Sequence, residues 1–137
     1  MKFYIFLIVF ALGFIACKSS SQKETTTQVV TSSKSEKAVI NLVDNAVFAA
    51  KLADSNAQVI DVRTPGEYAK GAIEGVVNMN YHDRDFAEQA VGKLDRNKPV
   101  MLYCAGGVRS AKAAKILKKQ GFTEIYDLKN GYGGWEK

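Results

Sequence analysis

From Val39 onward the chain alternates between short apolar runs and stretches whose large apolar residues recur every three or four positions. In "NAVFAAKLA" Phe48 and Leu52 stand four apart, a helical spacing, with Asp44 placed to cap its start. "QVIDV", Gln58 to Val62, is a β-branched run ended by the turn residues of "RTPGE", and "GVVNMN", Gly75 to Asn80, reads as a second strand. "DRDFAEQAVGKL" puts Phe86, Ala90 and Leu94 on one helical face, and "DRNKP" makes a turn. "VMLYC", Val100 to Cys104, is almost continuously apolar, the signature of a parallel strand covered on both faces. "SAKAAKILKKQ" is a helix expected to turn Ala113, Ile116, Leu117 and Gln120 inward and to stop at Gly121. "TEIYDL" supplies another short strand and "NGYGGW" a closing turn. Strand and helix in alternation, with short connections, predict an α/β domain whose central sheet is mostly parallel, of about five short strands flanked by helices.

The segment before Val39 has a different texture. One lysine, Lys2, precedes an apolar run from Phe3 to Phe14, shorter than the ~20 residues that span a bilayer. This suits the hydrophobic part of a signal peptide better than a lasting membrane helix. "FIAC" resembles the lipobox of bacterial lipoproteins, in which cleavage precedes a lipid-modified cysteine, here Cys17. The expected organisation is a signal peptide over 1–16, a lipidated Cys17 with a Ser/Thr/Lys-rich tether over 17–38, and a folded domain over 39–137. Lipid on Cys17 would hold the protein to a membrane in the cell envelope, facing the periplasm or the outside.

Composition narrows the partners. The chain of 137 residues has a net charge of +5, but from Val39 onward 14 basic residues face 12 acidic ones. So even a balance gives no footprint for nucleic acid. The densest basic group, Lys112, Lys115, Lys118 and Lys119, is most simply the solvated face of its helix. The chain has two cysteines, so with Cys17 lipidated Cys104 is the single free thiol and no disulfide forms within the chain.

Cys104 closes a predicted strand at the rim where parallel sheets bind ligands. Ala105, Gly106 and Gly107 have little side chain to stop the backbone curling round the sulfur, and glycines accept the positive φ that turns successive N–H groups inward. A helix beginning near Arg109 or Ser110 adds its unpaired N–H groups and positive dipole end. Each of these favours the thiolate, the reactive form of cysteine. Arg109 is an anion clamp or the partner of a carboxylate such as Asp61. Asp61 itself reads as structural, binding loop amides or an arginine. Arg63 is a second positive wall for a substrate or a surface ion pair. His82, the single histidine, faces the pocket or plain solvent. Trp135 and Phe122 read as packing residues.

These residues carry a family resemblance. "VMLYCAGGVRSAKAA" resembles the active-site loop of rhodanese-type sulfurtransferases, and the similarity runs from Val39 to Lys137. "VIDVRTPGEYAKGAIEGVVNMNY" resembles the family's first signature, through Asp61, Arg63, Glu67, Tyr68, Gly71, Ile73, Gly75 and Asn78, and "LKNGYGGWEK" its closing one, through Gly131 and Trp135. Two positions depart from the pattern: Ala72, where the family usually has histidine, and Glu74, where proline is common. The resemblance implies sulfane-sulfur transfer through a Cys104 persulfide, from a donor such as thiosulfate to a thiophilic acceptor. It implies that the amides of Ala105, Gly106, Gly107, Val108 and Arg109 hold the sulfur, that Arg109 attracts the anionic donor, and that no metal or organic cofactor takes part. Partners would be small sulfur anions, thiols and the membrane, and the protein would be a monomer.

Two other readings fit parts of the pattern. Phosphatases and arsenate reductases of related fold also set a cysteine and an arginine around an anion, but with five residues between them; here only "AGGV" intervenes. A tethered module that carries persulfide without turnover, senses redox state or binds a partner would use the same thiol.

Overall fold

The computed structural model describes residues 37–135. The signal segment, Cys17 and nearly all of the tether lie outside the described residues. Five parallel strands, β1 (Val39–Val43), β2 (Gln58–Asp61), β3 (Val77–Asn78), β4 (Val100–Tyr103) and β5 (Glu124–Leu128), form one sheet in the order β1-β5-β4-β2-β3. Helices α1 (Asn45–Leu52), α2 (Pro65–Tyr68), α3 (Phe86–Lys93) and α4 (Val108–Lys119) make the crossovers, and a 3-10 turn closes Gly131–Gly134.

The central position of β4 follows from its composition. All four of its residues are buried, and their alternation feeds two cores. Val100 and Leu102 join Ile60, Phe86, Leu117, Phe122 and Ile125 under α3 and α4. Met101 and Tyr103 join Phe48, Ile73, Val76 and Leu128 on the other face, with α1. Trp135 packs edge-on against Phe48, ring centroids 5.8 Å apart. Central strands in a parallel sheet must be apolar on both sides, and β4 is.

Three local readings change. β1, which no pattern assigned, pairs in register with β5 from Val39↔Glu124 to Val43↔Leu128. As an edge strand it leaves Leu42 63% exposed, so its apolar alternation is blurred. The "RTPGE" stretch is more than a turn: it contains α2, opened by a capping box. The Glu67 N–H donates to Thr64 Oγ1, and the Thr64 N–H donates back to the Glu67 carboxylate. Gln120, expected inward, is exposed at the end of α4, while Ala114 takes the buried place beside Ala113 and Leu117.

Candidate functional site

β4 delivers Cys104 to the C-terminal edge of the sheet, between β2 and β5. The backbone then turns sharply: Gly107 adopts φ +92° and becomes the N-cap of α4, which begins at Val108, slightly earlier than the sequence suggested. Only Gly107 of the two loop glycines needs positive φ; Gly106 does not, and a Cβ there would meet nothing within 4 Å. The tight turn folds the loop back over the sulfur, and the Gly107 N–H donates to Cys104 Sγ at 3.1 Å.

The loop is held from outside by the C-terminal turn. The Tyr132 N–H donates to the Cys104 carbonyl (2.7 Å) and the Gly133 N–H to the Ala105 carbonyl (2.9 Å). Gly131 sits so close that a Cβ would lie 2.3 Å from the Cys104 carbonyl oxygen, which explains a glycine in the closing signature. With both carbonyls turned outward, the amides are left facing the sulfur.

Cys104 is 1% exposed. That burial pushes its thiol up, but the N–H and hydroxyl of Ser110 and the amides of Gly106 and Gly107 outweigh it, so the thiol titrates below its ordinary value. The amide set around sulfur is therefore Gly106, Gly107 and Ser110. The Ala105 carbonyl is held by the outer staple, and the Val108 side chain points to solvent, 68% exposed. Ser110, buried in the first turn of α4, was not anticipated as a site residue. Its place as the third residue of a helix that starts at a cysteine loop was the available signal.

The two arginines have different surroundings. Arg109 grips both oxygens of Glu67, Nη1 to Oε2 at 2.7 Å and Nη2 to Oε1 at 2.6 Å. Glu67, more than burial or the Cys104 sulfur, keeps the Arg109 guanidinium charged, and the sulfur adds to that hold. Arg109 thus stands between a carboxylate and the thiolate, its partner being Glu67 and not Asp61. Arg63 corrects its expectation as a substrate wall or surface pair: it is 5% exposed, with Nη2 2.6 Å from Asp61 Oδ2 and 2.7 Å from the Gly71 carbonyl. Its guanidinium packs over the Tyr132 ring at 4.2 Å. Asp61, fully buried, also accepts from the Arg63 N–H (2.9 Å), and Asn78 Nδ2 donates to the Asp61 and Arg63 carbonyls, both at 3.0 Å.

Ala72 and Glu74 leave the connection before β3 intact. The Ile73 N–H donates to the Tyr103 hydroxyl (3.1 Å), and the Gly71 carbonyl is held by Arg63, so neither anchor uses a histidine. His82 is exposed, and its ring lies edge-on to Tyr81 at 5.3 Å.

A five-stranded parallel α/β domain thus holds a buried cysteine, poised toward its thiolate, at the end of its central strand. The family follows from comparison: residues 44–137 match the model of the Rhodanese-like domain, and the chain belongs to that family. It is 44% identical to the Bacillus subtilis protein YqhL over 79 residues, 58% of this chain and 60% of that one. It is 35% identical to a tRNA uridine(34) hydroxylase of Sinorhizobium medicae, over 88% of this chain but 39% of the relative. The chain thus spans less than two thirds of the length of either curated relative. A rhodanese-like domain protein of Staphylococcus aureus superposes with a TM-score of 0.61 at 28% identity, over 71% of this chain and 92% of that one.

Proposed function

We propose that the domain is a sulfurtransferase that works through a Cys104 persulfide. The observation that carries this reading is the sulfur's setting: a thiol favoured as thiolate, ringed by the amides of Gly106, Gly107 and Ser110, with Arg109 alongside. The thiolate attacks the outer sulfur of a donor such as thiosulfate. A new S–S bond forms at Cys104, the donor's own S–S bond breaks, and sulfite leaves with its electron pair. A thiophilic acceptor, cyanide or a thiol, then takes the outer sulfur and the thiolate is restored. Arg109 is the cation placed to attract the anionic donor, while Arg63 and Asp61 hold the rim. The four-residue gap between Cys104 and Arg109 makes a small ring, suited to one sulfur atom rather than a tetrahedral oxyanion.

The nearly balanced charge from Val39 onward favours a small sulfur compound over the tRNA named for longer relatives. We further propose that Cys17 carries lipid and that the domain works as a monomer at a membrane surface in the cell envelope.

Intact mass after incubation with thiosulfate tests the chemistry. The wild-type protein should gain the mass of one sulfur atom, lose it to cyanide with turnover, and Cys104→Ser should do neither. Loading without turnover would favour a carrier or sensor. Hydrolysis of p-nitrophenyl phosphate without sulfur transfer would overturn the assignment in favour of a phosphatase. A mature protein beginning at unmodified Met1 would overturn the lipid anchor.

A further inference from the structure

A buried carboxylate lies beside the sulfur site without a structural task. Asp127 is on β5, directly opposite Leu102 of β4 and Leu42 of β1. It is 2% exposed, and among the described residues its Oδ1 has no hydrogen-bond partner. It points to the face covered by α4, where Ser110, Ala113 and Ala114 are buried. The charged side chains on the elements around it are exposed or paired elsewhere. Lys112 and Lys115 on α4 are exposed, Arg109 is tied to Glu67, Lys129 just past the end of β5 is exposed, and Glu124 at the strand's start pairs with Lys51. Among the described residues Asp127 makes no ion pair.

Ser110 links it to the sulfur. The hydroxyl sits in the cysteine loop, donating to the carbonyl of Gly107, whose own N–H donates to Cys104 Sγ, and it pulls both the thiol and the Asp127 carboxyl down. It has one proton, which in this structure goes to the Gly107 carbonyl at 3.0 Å, so no bond to Asp127 Oδ1 is completed. A protonated Asp127 can donate to Ser110 Oγ and leave the hydroxyl proton for the thiolate. An ionised Asp127 instead competes with the thiolate for that same proton and sets a second negative charge near it.

We propose that Asp127 is a positioning residue for the nucleophile, coupled through the Ser110 hydroxyl so that Asp127 and Cys104 share one proton. The coupling rests on Cys104 being the reactive thiol, not on which sulfur compound it attacks. Burial pushes the Asp127 carboxyl up to about 6, against the opposing pull of Ser110, while the Cys104 thiol lies below its ordinary value, so the two titrations are drawn toward one another. The pair then loses its first proton in one step and resists losing the second. Rising pH restrains the thiolate instead of freeing it steadily.

Alkylation of Cys104 by iodoacetamide across pH 5 to 10, on the full chain, reads this without any sulfur donor. Asp127→Asn mimics the protonated carboxyl. It should turn a broad wild-type profile into a single steep one with a lower midpoint, and speed alkylation near neutral pH by about threefold, the equivalent of half a pKa unit. In a Ser110→Ala background the same substitution should lose most of its effect. An unchanged midpoint overturns the proposal, and an effect of full size in Ser110→Ala overturns the relay through the hydroxyl. Should Asp127→Asn fail to fold, carbon-13 NMR of the Asp127 carboxyl gives the reciprocal measurement. Its midpoint should fall in Cys104→Ala, where the competing thiolate is gone, and an identical midpoint in both proteins overturns the coupling.

Discussion

Arg109 and Glu67, 42 residues apart in sequence, lock the cysteine loop to α2 through two parallel hydrogen bonds of 2.7 and 2.6 Å. The pair holds Glu67 far below the usual carboxylate range, chiefly through the Arg109 bonds, with help from the Thr64 N–H and hydroxyl against an opposing burial effect. Its side chains are 21% and 35% exposed, so the contribution to stability is modest, about 1 kcal/mol.

Glu67→Gln should therefore lower unfolding stability by about 1 kcal/mol in urea at neutral pH. Because the folded carboxyl titrates below its unfolded value, this contribution is present at neutral pH and is lost as pH falls below about 4.3. The stabilities of variant and wild type should converge in acid. The substitution also leaves Arg109 uncompensated beside the sulfur. Anionic iodoacetate should gain on neutral iodoacetamide as an alkylating agent of Cys104, and the gain should shrink with added salt.

Asp61 and Arg63 are a buried pair, and breaking one side leaves a charge without its partner. Arg63→Ala should cost about 3–5 kcal/mol by chemical denaturation. Asp61→Asn should cost less, because an amide still accepts from the Arg63 N–H. The double variant should lose less than the sum of the two, the signature of direct coupling.

Gly131→Ala tests the outer staple. The residue has φ +58°, and the added Cβ would fall 2.3 Å from the Cys104 carbonyl oxygen and 2.8 Å from the Ala105 carbonyl carbon. Backbone strain and overpacking together should cost about 2–4 kcal/mol. Where the protein still folds, alkylation profiles should show the Cys104 midpoint moving up, because the amide ring opens. Gly106→Ala, with open space at its Cβ, should leave both stability and midpoint nearly unchanged.

Asp127 should leave a mark on stability as well as on reactivity. A carboxyl whose folded value is raised to about 6 loses stability relative to the unfolded chain as pH rises from about 4, and the loss is complete above about 6. Asp127→Asn should flatten that decline. Its advantage over wild type at pH 7 should approach about 2–3 kcal/mol at most, measured by thermal unfolding at matched ionic strength.

The residues that set these predictions differ in how plainly the chain displays them. Cys104 was legible because an apolar strand, small loop residues and a helix start occupy adjacent positions, and local order fixes what they build. α2 is equally local, since Thr64 and Glu67 spell a capping box, but Pro65 and Gly66 put a stronger turn signal on the same residues. β1 was hidden for another reason: only its pairing with β5, 85 positions away, makes Val39 part of a strand. The partners of the arginines are hidden in the same way, because a guanidinium takes whichever carboxylate the crossovers bring near. Asp127 lay in a run whose pattern announces a strand, and nothing in "TEIYDL" says that its acid is buried with an empty oxygen.

The staple from Tyr132 and Gly133 gives the cysteine loop a fixed polarity, with acceptors on the rim and donors at the hub. A neutral S–H there leaves those donors underused, whereas a sulfur anion satisfies them. The protonated thiol is thus the mismatched state of its own loop, and ionisation of Cys104 relieves that mismatch, so the loop's architecture itself works against the proton.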